Sequence, residues 1–95
     1  MIKQPCVYIM ASQNHNAIYI GVTSNLMQRV WQHKNNVCNG FSRKYQTHLL
    51  VHFELFEDMN SAIAREKQLK NWHRLWKINL IEQNNFQWLD LSEGF

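Results

Sequence analysis

The alternation of apolar and polar positions predicts two β-strands near the start of the chain. Residues 5–11 are β-branched, aromatic or otherwise apolar, and residues 17–22 repeat this character. Between them, residues 12–16 read Ser-Gln-Asn-His-Asn, which are residue types that favour turns. The pattern is typical of a β-hairpin closed by a five-residue loop.

Each predicted strand should present different side chains to the two faces of the sheet, because successive side chains in a strand point in opposite directions. Tyr8 should share a face with its alternate neighbours Cys6 and Met10. On the second strand, Tyr19 and Gly21 should share one face. The opposite faces then carry Val7, Ile9, Ile18, Ile20 and Val22.

Helical periodicity follows the hairpin. Thr23 or Ser24 can cap a helix over about residues 25–34. Residues 35–48 contain several Asn, Gly and Ser and are predicted to form a polar loop, and residues 49–56 are predicted to form a third strand. One stripe of the helix carries Leu26, Val30 and His33, with Arg29 beside it.

Two more helices and an irregular tail complete the prediction. The first helix runs from residue 60 or 61 to about residues 71–73, and the second covers about residues 75–82. In the tail, Trp88 and Leu91 are expected to pack back onto the body. The resulting order ββαβαα is that of a small α+β domain, and 95 residues suffice for one domain and not for two.

Composition narrows the class of protein. The chain is 45% hydrophobic and 18% charged, which supplies a core and excludes a disordered chain. No apolar run approaches the roughly 18 residues needed to span a bilayer, so no membrane partner is expected. The N-terminal Met-Ile-Lys-Gln-Pro lacks the apolar stretch of a signal peptide, and Cys6 and Cys38 lack the spacing of a zinc site. We therefore expect the reducing cytoplasm as the compartment.

The distribution of charge is more informative than the net charge of +3. Residues 1–53 contain five Lys or Arg and no Asp or Glu. Residues 59–77 contain five more cations against a single acid, Glu66. Clustered cations gain affinity for polyanions by releasing counterions, so the segregation favours a nucleic-acid partner. An unevenly charged surface with no such partner is the alternative.

Residues able to do chemistry recur at intervals along these elements. Arg29 and His33 are four residues apart and therefore share one side of the first helix. Glu66 borders the buried stripe of the next helix and lies among cations. A carboxylate in this position could hold a hard cation such as Mg²⁺. Its ordinary role would be an ion pair with Lys70, one helical turn away.

In order and spacing, these residues resemble the signature of the GIY-YIG nuclease domain, with Cys6 and Val7 where the family name has Gly and Ile. The resemblance implies one domain over residues 1–95, with a motif core at about 6–70 and a C-terminal helix and tail at 75–95. The tail resembles small stand-alone bacterial members that are described as excinuclease-like. The matching residues are Tyr8, Tyr19-Ile20-Gly21, Arg29, His33 and Glu66.

The resemblance implies a three-stranded antiparallel sheet flanked by helices, and hydrolysis of phosphodiester bonds with one divalent ion. Glu66 would bind that ion, Mg²⁺ or Mn²⁺, and Arg29 would bind charge on the phosphate. Tyr8 or Tyr19 would position or deprotonate the attacking water, and His33 would hydrogen-bond a tyrosine or the water.

Cations outside this motif are candidates for binding the DNA backbone. The tyrosine in the predicted loop, Tyr45, could stack on a base, although a solvated loop is an equally good interpretation. The spacing of Trp72, Trp76 and Trp88 suits core packing better than base stacking. The candidate DNA-binding residues are Arg43, Lys44, Lys67, Lys70 and Arg74.

Three hypotheses for function follow. The first is a Mg²⁺-dependent DNA endonuclease that nicks one strand in DNA repair or processing, with a partner protein for targeting as one option. The second is a nucleic-acid-binding module of the same fold with little turnover alone. The third is a protein-interaction domain without a nucleic-acid role. The sequence leaves open whether the substrate is a flap, a branch, a damaged duplex or RNA.

Overall fold

A computed structural model describes residues 3–37 and 40–94 of the chain. Cys38, which falls in the predicted loop, lies outside the described residues. Among the residues described, no helix is long and apolar enough to cross a membrane. The elements are β1 (Cys6–Ala11), β2 (Ile18–Thr23), α1 (Leu26–Lys34), α2 (Phe41–Tyr45), β3 (Leu49–Leu55), α3 (Met59–Lys70), α4 (Arg74–Asn84) and a 3₁₀ turn (Leu91–Gly94).

The three strands form one antiparallel sheet in the order β2-β1-β3, so the α+β prediction is confirmed. β1 is the central strand, and all six of its residues are buried. Tyr8 lies opposite Gly21 on β2 and Phe53 on β3. A bulge in β3 inserts one residue: Ile9 pairs with His52, and the next residue of β1 pairs with Leu50.

The sheet separates two apolar cores, and the predicted assignment of side chains to faces is confirmed. On one face, Val7, Ile9 and Ile20 pack with Ala62 and Leu69 of α3. On the other face, buried side chains of β1 and β3 pack with α1. These side chains are Tyr8, Met10 and Leu50, and they contact Val30 of α1. Helix α1 and helix α3 therefore cover opposite faces of the same sheet.

The cap of α1 and the first residue of α3 differ from the predicted ones. The cap of α1 is Asn25, whose side chain accepts a hydrogen bond from the Gln28 amide at 3.2 Å. Thr23 is unsuitable because it is still the last residue of β2, and Ser24 precedes the cap. Helix α3 begins one residue early because the Asp58 side chain accepts from the Ser61 amide at 2.7 Å.

The interval predicted as a loop, residues 35–48, contains the short helix α2. Its five residues give too short a pattern for helical periodicity to be detected. The left-handed residue Gln46, with φ of 53°, ends it. The two residues that flank the helix, Gly40 and Gln46, both have positive φ. Glycine adopts such angles without steric cost, whereas glutamine does not, so only Gly40 is a residue type that predicts the chain reversal.

The C-terminal region differs from the prediction in detail. Helix α4 spans Arg74–Asn84 and is therefore longer than the predicted 75–82. Trp88 is buried as predicted, and its indole donates to Glu82 at 2.7 Å. The prediction for Trp76 was wrong, because its side chain is 52% exposed. Leu91 is 37% exposed and lies in the 3₁₀ turn, which contacts β3. Trp76 lies in the first turn of α4, and its ring contacts that of Trp72 edge-on.

Candidate active site

A buried tyrosine–histidine pair lies at the centre of the site. Tyr8 extends from the central strand toward α1, and its hydroxyl is 2.9 Å from Nε2 of His33. Both side chains are almost completely excluded from solvent, with exposures of 0% and 1%. The structure thus brings together two of the site residues predicted from the sequence.

Two hydroxyl groups continue this pair on the far side of the imidazole. Nδ1 of His33 lies 2.5 Å from Oγ of Ser42, which in turn lies 2.5 Å from Oγ1 of Thr47. Sequence reasoning missed Ser42 and Thr47, because they fall in the interval predicted as a solvated loop. We call Tyr8, His33, Ser42 and Thr47 the hydroxyl–imidazole chain.

His33 is neutral at physiological pH. The pKa of His33 is lowered to about 4, mainly by burial and then by the nearby positive charges of Arg29 and His48. A neutral imidazole has one donor and one acceptor nitrogen. Two arrangements of protons are therefore possible. Either Tyr8 donates to Nε2 and Nδ1 donates to Ser42, or Ser42 donates to Nδ1 and Nε2 donates to Tyr8.

Tyr19 is the more accessible of the two tyrosines. Its ring centroid lies 6.2 Å from that of Tyr8 and 5.0 Å from that of His33. Tyr19 is half-buried, and it lines a shallow cleft at the free edge of β2 together with Phe41 and Lys70. We call this cleft of about 180 Å³ the edge cleft. A ligand at the surface can reach Tyr19, whereas Tyr8 is enclosed.

Gly21 makes the position of Tyr8 possible. A Cβ atom at this residue would lie 2.5 Å from the hydroxyl oxygen of Tyr8 and 2.6 Å from Cζ. Atoms in folded proteins do not approach so closely, so the tyrosine ring could not occupy its place beside any larger residue. Sequence reasoning placed Gly21 on the correct face but gave no reason for a glycine there, because the reason is a contact across strands.

Arg29 lies one helical turn before His33 on α1. Its side chain is half-buried, and Nη1 donates a hydrogen bond to the Gln32 side chain at 2.8 Å. The guanidinium is close enough for its charge to lower the pKa of His33. The structure therefore places Arg29 at the border of the Tyr8–Tyr19–His33 cluster, as the i,i+4 spacing predicts.

Glu66 approaches from the other face of the sheet. It lies on α3, and its side chain is only 16% exposed. One carboxylate oxygen is 3.3 Å from Nζ of Lys70, so the ordinary ion pair is present. Lys70 also lines the edge cleft with Tyr19. Lys70 therefore connects Glu66 to the edge cleft that Tyr19 lines.

The residues present are suited to a cation that needs few protein ligands. Within residues 3–37 and 40–94, no group of three or more His, Cys, Asp or Glu is placed to hold a metal ion. Mg²⁺ retains several waters and binds through one or two carboxylates plus phosphate oxygens of a substrate. Glu66, a single carboxylate whose partner Lys70 lines the edge cleft, fits that ion.

The candidate DNA-binding cations separate into two groups. Lys44 and Arg74 line one larger cleft of about 640 Å³ beside the loop of the hairpin, which we call the hairpin cleft. Lys70 lines the edge cleft. Arg43 and Lys67 are exposed on α2 and α3 and line neither cleft. The structure therefore brings three of the five predicted cations to concave surfaces.

Comparison with known proteins agrees with this geometry. The family model of the GIY-YIG catalytic domain matches residues 4–79, which include all of β1 to α3. The chain belongs to the GIY-YIG family. It is thus a protein of nuclease type, and a nucleic acid is the class of substrate that the family implies.

Its relatives include both short and long proteins. A UPF0213 protein of Clostridium perfringens is 32% identical over 85% of this chain and 86% of its own length. A UPF0213 protein of the Autographa californica nuclear polyhedrosis virus is 33% identical over 81% of this chain and 75% of its own length. The UvrABC system protein C of Mycoplasma genitalium is 34% identical over 87% of this chain, which corresponds to 14% of that protein. No solved structure matches this chain.

Proposed function

We propose that this protein is a DNA endonuclease that hydrolyses phosphodiester bonds with one Mg²⁺ or Mn²⁺ ion and nicks one strand at a time. The observation that carries the proposal is the buried bond between Tyr8 and a neutral His33, with the accessible Tyr19 against both rings. Membership of the GIY-YIG family supports it. DNA repair or processing is the setting that we propose for this activity.

The difference in burial favours different roles for the two tyrosines. Tyr19 borders the edge cleft, so its hydroxyl is the one that can contact a water molecule beside a bound phosphate. Tyr8 has no access to solvent. Tyr8 and His33 are therefore positioning residues, which hold the Tyr19 ring in place and keep water out beneath it. Tyr19 positions the attacking water, and the phenolate form of its side chain accepts the proton that this water loses.

Three further groups would act on the charge of the reacting phosphate. Arg29 is always protonated and can bind two phosphate oxygens through its planar fork. Glu66 would hold the divalent ion, which supplies positive charge to the phosphate when it is bound. Lys70, which pairs with Glu66, adds a cation at the edge cleft. Together these groups offset negative charge that increases in the transition state.

The test is the initial rate of nicking of supercoiled plasmid by purified protein in Mg²⁺. Glu66→Gln and Arg29→Ala should each lower the rate by about 100- to 1,000-fold, the usual effect of removing one group that binds transition-state charge. The matched control is Glu57→Gln, because Glu57 is an exposed carboxylate outside the site, and its rate should equal that of the wild type.

Two outcomes would contradict the proposal. One is a wild-type protein that nicks no plasmid and no branched or damaged oligonucleotide with Mg²⁺ or Mn²⁺. Salt-sensitive DNA binding in that protein would instead favour the binding module, and an absence of any such binding would favour a protein-interaction domain. The other is nicking that is equally strong in Glu66→Gln protein, which would indicate a contaminating nuclease.

A further inference from the structure

The hairpin cleft is a second concave surface next to the candidate active site. Its volume of about 640 Å³ falls within the range of roughly 300 to 1,000 Å³ that is usual for small-ligand sites. The hairpin loop forms one wall, α2 forms the other, and Arg74 lies at the start of α4. Of the charged residues that line it, Lys44 and Arg74 are both cations, so the cleft favours an anionic ligand.

The α2 wall presents two aromatic rings. Phe41 and Tyr45 are one helical turn apart, and their ring centroids are 4.7 Å apart. Both side chains are almost half exposed, at 46% and 47%. Nζ of Lys44 lies 5.4 Å from the centroid of the Tyr45 ring. Exposed rings beside cations are the composition with which proteins stack unpaired bases and follow a phosphate backbone.

The opposite wall is held in place before any ligand binds. Arg74 donates hydrogen bonds to the backbone oxygens of His15 and Asn16, at 3.1 and 2.7 Å. Within the loop, the Asn14 side chain accepts from the Ser12 hydroxyl at 2.7 Å. These bonds fix the loop, so a ligand would not have to order it. Amide side chains on the cleft surface can bond the edges of a base; they belong to Gln13, Asn14, Asn16 and Gln46.

Helix α2 connects this cleft to the Tyr8–Tyr19–His33 cluster. Phe41 and Ile18 line both the hairpin cleft and the edge cleft, so the two clefts are neighbours. The residue after Phe41 is Ser42, which bonds to His33. A strand whose phosphate lies beside Tyr19 would therefore have an adjacent nucleotide at the hairpin cleft.

We propose that the hairpin cleft binds unpaired nucleotides of the DNA strand that is cut, with a base stacked on Tyr45 and its phosphate beside Lys44. In a duplex, bases are stacked on one another and their edges are paired, so neither the rings nor the amides of the cleft could be used. The preferred substrate is thus DNA with a single-stranded segment next to the cut. This inference rests on the proposed function for the position of the cut.

The test measures binding without cleavage, by fluorescence anisotropy in EDTA. The probes are labelled oligothymidylate and a blunt duplex of the same length. Tyr45→Ala should weaken binding to oligothymidylate by about 5- to 100-fold, because it removes one stacking contact. Binding to the duplex should change by less than about twofold. Tyr45→Phe should bind both probes like the wild type.

Phe86→Ala is the matched control, because Phe86 is an aromatic residue that is 79% exposed and lies away from the cleft lining. It should bind both probes like the wild type. Equal weakening of both probes by Tyr45→Ala, or no weakening of either, would overturn the inference. So would competition by free thymidine monophosphate as strong as that by the oligomer, which would indicate a small-molecule site.

Failure of this inference is distinguishable from failure of the proposed function. If the protein nicks plasmid but Tyr45→Ala leaves oligothymidylate binding unchanged, the cleft assignment is wrong and the nuclease proposal stands. If Tyr45→Ala weakens oligothymidylate binding selectively but no nicking occurs, the nuclease proposal is wrong and the binding site for unpaired nucleotides stands.

Discussion

Two buried histidines lie on opposite faces of one sheet, and they have contrasting surroundings. His33, on the α1 face, is bonded to the hydroxyls of Tyr8 and Ser42. His52, on β3, lies 2.8 Å from the carboxylate of Glu54. One histidine is therefore in contact with uncharged groups, and the other is in contact with an acid.

The cluster around His52 is an ion network. Glu54 accepts two hydrogen bonds from Arg65, at 2.9 and 3.2 Å, and the Arg65 guanidinium lies 5.2 Å from the Trp72 ring centroid. The hydrogen bond from His52, with those from Arg65, lowers the pKa of Glu54 to about 2 against the opposing effect of burial. His52, Glu54 and Arg65 all have partners within this network. The network therefore joins β3 to α3, and its charged groups are already paired with one another.

The contrast indicates what the proposed active site requires of its surroundings. In the hydroxyl–imidazole chain, burial keeps His33 uncharged, so its hydrogen bonds fix the Tyr8 ring without adding a charge beneath Tyr19. A carboxylate in the place of Ser42 would favour a charged imidazole and would repel a phosphate. The fold therefore keeps its ion network on the α3 face and an uncharged network on the face with the tyrosines.

The largest expected effect is the difference in unfolding free energy between variants of the two histidines. His33→Ala should lower the free energy of unfolding by about 3 to 5 kcal/mol, because it leaves a cavity and deprives two buried hydroxyls of their partner. His52→Ala should cost about 1 to 2 kcal/mol, because Glu54 keeps its bonds to Arg65. Urea unfolding at neutral pH measures both. Equal losses would show that the different surroundings of the two rings do not affect the free energy of unfolding.

Acid should weaken the two networks in different pH windows. The folded pKa of His33 lies below the ordinary 6.5, so the unfolded chain binds protons first and stability falls as pH drops from about 6.5 to 4. The folded pKa of Glu54 lies below 4.5, so its stabilisation is present above pH 4.5 and is lost as pH falls toward 2. Each change is at most about 3 kcal/mol.

Unfolding measured at a series of pH values tests these windows. Glu54→Gln should reduce the loss below pH 4, to which Asp90 also contributes because its pKa is lowered as well, and should leave the loss between 6.5 and 4.5. Persistence of the upper loss in His33→Ala protein would contradict its assignment to His33.

Gly21→Ala should disturb only the tyrosine face. The new methyl would overlap the Tyr8 ring, so we expect a loss of about 1 to 3 kcal/mol in unfolding free energy and a matching loss of nicking. The control is Gly94→Ala, where a Cβ has nothing within 4 Å, and it should be neutral. Thermal unfolding compares them. A Gly21→Ala protein as stable as the Gly94→Ala protein would refute the close approach.

The smallest expected effect concerns the end of the hydroxyl–imidazole chain. Ser42→Ala and Thr47→Val should each cost about 1 to 2 kcal/mol, because the first removes the partner of both Nδ1 of His33 and Oγ1 of Thr47, and the second removes one of the two partners of Ser42. The double variant should cost less than the sum of the two, since the two hydroxyls bond to each other. Thr47→Ser, which keeps the hydroxyl, is the control. Strict additivity would mean that the two side chains act independently.

The sequence alone was sufficient for the three strands, for the helices α1, α3 and α4, and for the motif. Strand alternation is a local property, so the faces of Tyr8 and Tyr19 could be predicted from period two. The helix carrying Arg29 and His33 followed from period 3.6, and the ion pair of Glu66 with Lys70 followed from i,i+4 spacing. Each of these predictions depends on neighbours within one element.

Contacts between distant segments required the tertiary structure. The bulge in β3 decides that His52 pairs with Ile9, and alternation alone cannot position a bulge. The interval of residues 35–48 was predicted as a solvated loop, yet it contains α2, which directs Ser42 to His33 and Tyr45 to the hairpin cleft.

What the sequence by itself determined was therefore which residues are present on which side of each element. Only the tertiary structure decided that Tyr8 is enclosed while Tyr19 is accessible, and that Gly21 must have no side chain. The physical reason is the distance along the chain over which each property is determined. Periodicity is set by the backbone geometry of consecutive residues, whereas enclosure and close approach depend on where separate segments of the chain meet.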